Sequence, residues 1–549
     1  MNAGALSLRD LAFLVIACIV LMAPGVFTMP PVDRDESRYA VASTQMLDTG
    51  DFVDIRYQEH PRYLQPAGVY WLQSATAGVF TDPNAREIWA FRLPSLLAAI
   101  AAVVLTGIGM SRLAGRQTGL IAAAFLAACL SLNFEARIAK TDAALLAACT
   151  VAQFALMRAY LNRSAGLANA AAFWAALGVG LLIKGPIILI LSGLTAVSLV
   201  IVDRRADWLA RLRPLAGVPL FLAIALPWYV AIGMATKGAF FDVAIGANLL
   251  HKVGNDQQSH GGPPGYHLAL FVLTFWPASL MAAFAVPYAW RERADPMTRF
   301  LIAWIVPTWI VFEFVATKLP HYVLPTFPAI AMLCALGLIK AQRATSLPGR
   351  IVEAIYVLLW IAVTIVVCAL GPALMRTFTE SIDPLSTIVA IGAAISAVAM
   401  AWFTVRRRPT AAAAAGIAAA ALAFANVYAL TAPRIEALWL SPRIVEAARA
   451  QSACPGGHII TAPYVEPSLV FLAGPTNVTL AKSGEDVADA AAVRACSIVV
   501  VGAPYEETFR DRAAALGLAA TPFAKIDGQN YSDGDQYALQ MLIVRGRAP

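Results

Sequence analysis

The feature that most constrains this chain is the recurrence of apolar stretches near the length of one bilayer crossing. A helix needs roughly 20 apolar residues to pass through the hydrocarbon. Stretches of that kind fall near 11–28, 92–111, 117–133, 140–161, 169–184, 186–202, 214–235, 266–289, 299–316, 320–340, 351–372, 386–405 and 410–430. The pattern predicts a polytopic α-helical membrane protein with about thirteen transmembrane helices. A soluble globular chain is excluded, since 59% of the 549 residues are hydrophobic, only 14% are charged and the mean hydropathy is +0.67. The first stretch, Leu11 to Phe27, has the short polar head of a signal peptide. No convincing small-residue cleavage site precedes Pro30 and many spans follow, so it reads as a retained helix.

The net charge of +7 does not point to nucleic acid, because the basic residues sit in the connections between apolar stretches. Arg112 and Arg116, Arg158 and Arg163, Arg204, Arg205, Arg211 and Arg213, Arg291 and Arg293, Lys340 and Arg343, and Arg406 to Arg408 all fall on one side. The positive-inside rule makes that side cytoplasmic. The opposite side, periplasmic if the membrane is a bacterial inner membrane, then carries a first loop over 29–91 with amphipathic helices, the segment Lys237 to Gly265, the turn Lys318 to Tyr322, and everything after Ala432. Residues 1–430 form a transmembrane domain in this reading. Over 431–549, short apolar runs (His458 to Ile460, Leu469 to Leu472, Ser497 to Val501, Leu539 to Val544) alternate with Gly/Pro turns and a helical stretch around Thr508 to Leu516. That pattern predicts a small periplasmic α/β domain. Cys18, Cys129, Cys149, Cys334 and Cys368 lie in apolar spans as small hydrophobes. Cys454 and Cys496 lie in a polar region, where they either pair in an oxidising compartment or remain two buried thiols.

The first outer loop has the composition of a site. From Asp33 to Gln73 it reads DRDESRYAVASTQMLDTGDFVDIRYQEHPRYLQPAGVYWLQ, with Asp35 and Glu36 beside Arg38 and Tyr39 and an aromatic run from Tyr63 to Trp71. Ionisable residues at membrane depth are costly, so each marks a candidate site. Arg137, Lys140 and Asp142 open the fourth span, where one helical turn sets Asp142 beside Arg137 or Lys140 as either an interfacial ion pair or part of a site. Lys184 precedes Gly185 and Pro186, a break that aims its ammonium into a cavity unless it snorkels to headgroups. Pro227, Trp228 and Tyr229 read as a kink with packing. Lys318, His321 and Tyr322 crowd one turn at the outer face, where three polar donors suit a phosphate headgroup; an interfacial anchor explains Lys318 and Tyr322 but less well His321.

DESRYA, the run Arg62, Tyr63, Pro66, Tyr70 and Trp71, LIKGP, PWY and KLPHYVLP occur in the order seen in the GT-C glycosyltransferases of the aminoarabinose-transferase and protein O-mannosyltransferase group, which this chain resembles over nearly its whole length. The resemblance implies a membrane transferase that takes a sugar from a polyprenyl phosphate carrier to an acceptor at the periplasmic face, lipid A or another envelope glycan. It also implies an acidic residue matching Asp35 as the catalytic carboxylate. Aminoarabinose transferases commonly carry an acidic residue and a lysine before the proline of the second motif; Leu64 and Gln65 stand there in this chain. Either Arg62 replaces that cation, or the phosphate is held from elsewhere, with His251 and Lys252 as candidates. The acidic residue and the histidine that hold a metal in some relatives are replaced by Leu64 and Ala247, so no essential metal and no other cofactor is expected.

The predicted site therefore comprises Asp35 as base or sugar-orienting carboxylate, Glu36 and Asp142 as alternatives, and Arg38, Tyr39, Arg62, Tyr63, Arg137, Lys184, His251, Lys252, Lys318, His321 and Tyr322 around the donor. Cations at the phosphate assist its departure, attack from the opposite face inverts the anomeric centre, and a hydroxyl acceptor requires a carboxylate to take its proton. The segment Lys237 to Gly265 reads as a lid or as a loose connection. A monomer in contact with membrane lipids is expected. The rival readings are a flippase for lipid-linked sugars, opposed by the polar first loop, the tail domain and the absence of visible repeats, and a protein O-glycosyltransferase of the same superfamily.

Overall fold

The computed structural model describes residues 4–162, 166–244, 246, 262–341 and 346–546. Arg163, Arg343, Ala247, His251, Lys252 and most of the segment expected as a lid lie outside the described residues. Thirteen helical units overlap the thirteen predicted stretches: α1 (Leu8–Met22), α4 (Ile88–Ala114), α5 (Arg116–Ala128), α7 (Asp142–Tyr160), α8 (Leu167–Lys184), α9 (Ile187–Asp203), α10 (Pro214–Ala235), the pair α11 (Tyr266–Thr274) and α12 (Ala282–Arg291), α13 (Pro296–Phe314), α14 (Phe327–Lys340), α15 (Leu347–Thr379), α16 (Pro384–Val405) and α17 (Pro409–Ala425). Among the described residues, eight helices are long and apolar enough to cross a membrane by themselves, nine when the pair bent by 113° at Phe275–Pro277 counts as one. The others are shorter apolar helices packed among them.

Polar bonds gather the basic connections at one end of this bundle. Ser7 caps α1 and shares Asp10 with it, and Asp10 in turn binds Arg116 Nε at 2.8 Å at the start of α5. Asp203, ending α9, accepts from Tyr160 Oη at 2.6 Å and from Arg299 of α13. Apolar side chains on α15 and α16 face outward, among them Ile355, Leu358, Ile365, Ile388, Ile395 and Val398, as a lipid-facing surface requires.

At the other end lie α2 (Asp35–Thr49), a two-residue hairpin of β1 (Arg56–Tyr57) and β2 (His60–Pro61), and α3 (Gly68–Phe80). Asp35 and Glu36 occupy the first turn of α2, where carboxylates complement the helix dipole, and Gly50 ends it at a φ of 72°. Gly68 brings the start of α3 against the end of α8: a Cβ there would stand 2.7 Å from the Leu182 carbonyl oxygen. Between α5 and α7 the short α6 (Leu130–Glu135) turns the chain.

The tail packs on this loop. Its helix α18 (Leu440–Ala450) precedes a five-stranded sheet of order β4-β3-β5-β7-β6, in which β3 (His458–Ala462), β4 (Val478–Leu480) and β5 (Ser497–Gly502) are parallel, while β7 (Gln536–Arg545) and β6 (Ala519–Gln529) add antiparallel. Leu469 to Leu472 fall in a helix, α19 (Pro467–Ala473), rather than a strand, and the helical stretch lies within Ala503–Ala515. Cys454 and Cys496 are disulfide-bonded. Gln58, in the hairpin turn, donates to the carbonyls of Pro475 (3.0 Å) and Val478 (2.9 Å) in the tail. Its own peptide exchanges bonds with the Gln45 side chain of α2, at 2.8 and 3.1 Å.

Candidate functional site

An apolar cavity of about 530 Å³ opens between α8, α9, α10 and α13, within the size range of ligand pockets. Leu145, Ile187, Leu191, Phe241, Val311 and Phe312 give it a hydrocarbon wall, and Asp142, Lys184 and Tyr322 stand at its polar end. The local sequence builds that end. Helix α8 stops at Lys184 because Gly185 adopts a φ of +66° and Pro186 starts the next helix, so the lysine projects from a helix terminus into the space the break creates. Leu64, Gln65 and Pro66 line the same cavity.

The turn after α13 and the start of α7 bring a line of charges to this end. Lys184 Nζ is 2.5 Å from Asp142 Oδ1 and lies 5.7 Å from the centre of the Tyr322 ring. His321 stands between Asp142 and Glu135, with Nε2 3.7 Å from Asp142 Oδ1 and Nδ1 3.4 Å from Glu135 Oε1. Lys140 Nζ is 3.6 Å from Glu135 and 4.0 Å from Asp35 Oδ2. Glu135 is fully buried, and neither of its oxygens has a hydrogen bond among the described residues. Asp35 is the accessible end of the line, its side chain 54% exposed.

Several predicted site residues are elsewhere. Glu36, the alternative catalytic carboxylate, is buried and spent on the fold: its oxygens accept from Arg92 Nε (2.9 Å) and Nη2 (2.7 Å), Val32 N (2.8 Å) and Ala139 N (2.8 Å). Among the described residues Arg137 pairs with no carboxylate and does not line the cavity. Its guanidinium binds the carbonyls of Leu21, Pro24 (2.8 Å) and Asn133 (2.6 Å), so it caps the end of α1, and it lies over the Tyr428 ring at 4.7 Å. Asp142 thus pairs with Lys184 and His321, not with Arg137 or Lys140. Tyr63 gives its hydroxyl to Asp54 at 2.8 Å and packs on Phe240. Lys318 donates to the Gly262 carbonyl at 2.7 Å, outside the cavity.

Arg62 is buried over the Tyr39 ring at 5.1 Å, with Tyr39 against Tyr70 at 5.2 Å, and its Nε has no hydrogen bond among the described residues. Arg38 is half-buried one turn beyond Asp35 on α2. Tyr229, expected only to pack, lines the cavity and donates to the Leu181 carbonyl at 3.2 Å. Sequence reasoning missed Glu135 and Arg92. Both are charged residues at the ends of apolar stretches, a signal of high cost that was present in each case.

The metal ligands of some relatives do not fit here, because Leu64 offers only hydrocarbon to the cavity. Glu135, Asp142 and His321 each present one donor atom within 4.8 Å of the others. The two ring nitrogens of His321 face different carboxylates, however, and each carboxylate also faces an ammonium. A metal needs one ring nitrogen and both carboxylates to converge on a single point free of such cations. The arrangement is that of an imidazole bridging two carboxylates.

Comparison with known proteins finds similar chains and a similar fold. The family of dolichyl-phosphate-mannose-protein mannosyltransferases matches residues 7–240. An undecaprenyl phosphate-alpha-4-amino-4-deoxy-L-arabinose arabinosyl transferase from Aeromonas salmonicida is 27% identical over 331 residues, 58% of this chain and 59% of that protein. Its counterpart from Pectobacterium carotovorum is 26% identical over 362 residues, 62% of each. The chain spans about three fifths of the length of these curated relatives. The crystal structure of ArnT from Cupriavidus metallidurans bound to undecaprenyl phosphate superposes with a TM-score of 0.73 at 18% identity, covering 97% of this chain and 98% of that one. The apo oligosaccharyltransferase of Archaeoglobus fulgidus gives 0.51 at 10% identity, covering 86% and 64%. The chain has the GT-C fold and resembles the aminoarabinose-transferase group within it.

Proposed function

We propose that this protein is an inverting glycosyltransferase that moves a sugar from a polyprenyl phosphate carrier to lipid A or another envelope acceptor, at the periplasmic face of a bacterial inner membrane. The observation that carries the reading is the joining of a hydrocarbon-walled cavity to the Lys184 ammonium at its polar end. An isoprenoid chain matches the wall, and its phosphate matches Lys184 and the Tyr322 hydroxyl, where charge-assisted bonds in a dry site stabilise the departing group. The names of the curated relatives and the lipid in the ArnT structure support the same carrier class.

Asp35 is the base for a hydroxyl acceptor. It is reachable from outside, and the Lys140 ammonium stands 4.0 Å from it. With a phosphate acceptor, already ionised, the same carboxylate orients the sugar or stabilises developing positive charge. Residues 1–430 are the catalytic unit in this reading, and 431–549 cover the acceptor side.

Purified protein incubated with a radiolabelled polyprenyl-phosphate sugar and lipid A tests the proposal. Wild type forms labelled lipid A, and Asp35→Asn lowers the rate by about 10²–10⁴-fold with an unchanged melting temperature. Carrier movement without a glycosidic product would replace the transferase by a flippase.

A further inference from the structure

Behind the polar end of the cavity lies an imidazole, His321, which does not line the cavity itself. His321 lies between Glu135 and Asp142, and Asp142 Oδ1, 3.7 Å from its Nε2, is the same atom that Lys184 holds at 2.5 Å. Lys140 stands 3.6 Å from Glu135. The two buried carboxylates are thereby matched by two ammoniums. Asp35, 4.0 Å from Lys140, is largely exposed and screened by water. A proton on the buried ring would be an unmatched charge in a dry site, so His321 is neutral while both ammoniums are in place.

Lys184 lines the cavity as well as holding Asp142. An anion arriving in the cavity draws the ammonium towards itself, and Asp142 is left as a buried carboxylate with no cation of its own. The group already facing it is Nε2 of His321. The remaining neighbours of the ring are committed elsewhere: Lys140 to Glu135, Tyr322 edge-on at 5.3 Å as the next residue in the chain, and His267 in α11 to the Leu319 carbonyl at 3.2 Å and Glu313 at 3.6 Å.

We propose that His321 is a positioning residue that takes up one proton from solvent when Lys184 leaves Asp142 for the phosphate of a polyprenyl phosphodiester, so that carrier binding and protonation of the imidazole are one event. The inference rests on the reading that this cavity takes the carrier phosphate. The imidazolium replaces the ammonium at Asp142, which keeps that carboxylate from repelling the arriving phosphate. No bond to the carrier forms or breaks in this step; the proton is the only particle exchanged. By linkage, the carrier binds more tightly as pH falls.

Isothermal titration calorimetry of the full chain in detergent micelles measures this directly. The ligand is a polyprenyl phosphodiester, which itself neither gains nor loses a proton near neutral pH, and each titration is run in two buffers of different ionisation enthalpy. Wild type takes up about half to one proton per carrier bound. In His321→Gln the uptake vanishes. In Lys184→Gln the carrier binds more weakly and the uptake shrinks, because Asp142 lacks its ammonium before the ligand arrives. Binding by wild type with heats independent of buffer, or uptake that persists unchanged in His321→Gln, overturns the inference and leaves the carrier site standing. Failure of wild type to bind the diester overturns both. Should His321→Gln not fold, Lys184→Gln decides alone, and uptake equal to wild type overturns the inference.

Discussion

Glu36 and Glu135 are both buried glutamates at the end of the bundle that carries the first loop, and they are opposites. Glu36 has four hydrogen bonds, two of them from a bidentate arginine; Glu135 has none among the described residues, with Lys140 and His321 at 3.6 and 3.4 Å. A saturated carboxylate joins α2, α4 and the segment before α7 into one body. An unsaturated one costs free energy in the resting protein and is retained where charge must be rearranged. Burial alone therefore does not mark a functional carboxylate in this fold; the bonds left unmade do.

Three substitutions sharpen or break that contrast. The largest effect is expected at Glu36: Glu36→Gln leaves Arg92 buried without its counter-charge and lowers stability by about 3–5 kcal/mol, seen as a much reduced melting temperature and yield in detergent. Glu135→Gln removes a carboxylate with no hydrogen bond to lose among the described residues, and Lys140 keeps Asp35 at 4.0 Å as a counter-charge. It changes stability by no more than about 1 kcal/mol, while sugar transfer falls by about tenfold, roughly 1.4 kcal/mol of barrier. If Glu135→Gln unfolds as readily as Glu36→Gln, the contrast is wrong.

The smallest effect belongs to a third carboxylate, Asp33, half-buried and bonded to Ser468 N at 3.0 Å across the boundary with the tail. Burial, aided by the nearby Glu466 carboxylate, pushes Asp33 up to about 7. An acid whose folded pKa is raised contributes stability while protonated and loses it as pH rises from the unfolded value to the folded one. Docking of α19 on the loop should thus weaken as pH rises from 3.8 to about 7 and level off above it, and Asp33→Asn should remove the dependence. Hydrogen exchange of residues 467–473 at two pH values measures it.

The helices were legible because apolar length is a local property of the chain, and twenty successive residues state it. Lys184 was legible too, since Gly185 and Pro186 sit beside it and announce the break. What stayed hidden was partnership. Glu36 and Asp35 are neighbours in one DESRY run, yet one faces inward to Arg92, 56 residues away, and the other outward; only the rotation of α2 against α4 separates them. Arg137 and Asp142 are likewise five residues apart but belong to different neighbourhoods, because the chain turns between α6 and α7. Glu135 lay within a stretch whose other charges drew attention, and its want of partners is a fact about tertiary surroundings.

Gln58 carries a consequence for how the two halves of the molecule move. Its side chain is fastened to the tail at Pro475 and Val478, and its peptide is fastened to Gln45 on α2. The helix that begins with Asp35 is thus tied to the tail through Gln58 as well as through Asp33, which accepts from Ser468 N just before the helix starts. A displacement of the tail of a few ångströms would be passed on as a tilt of α2, re-aiming the carboxylate while the helices in the membrane stay still.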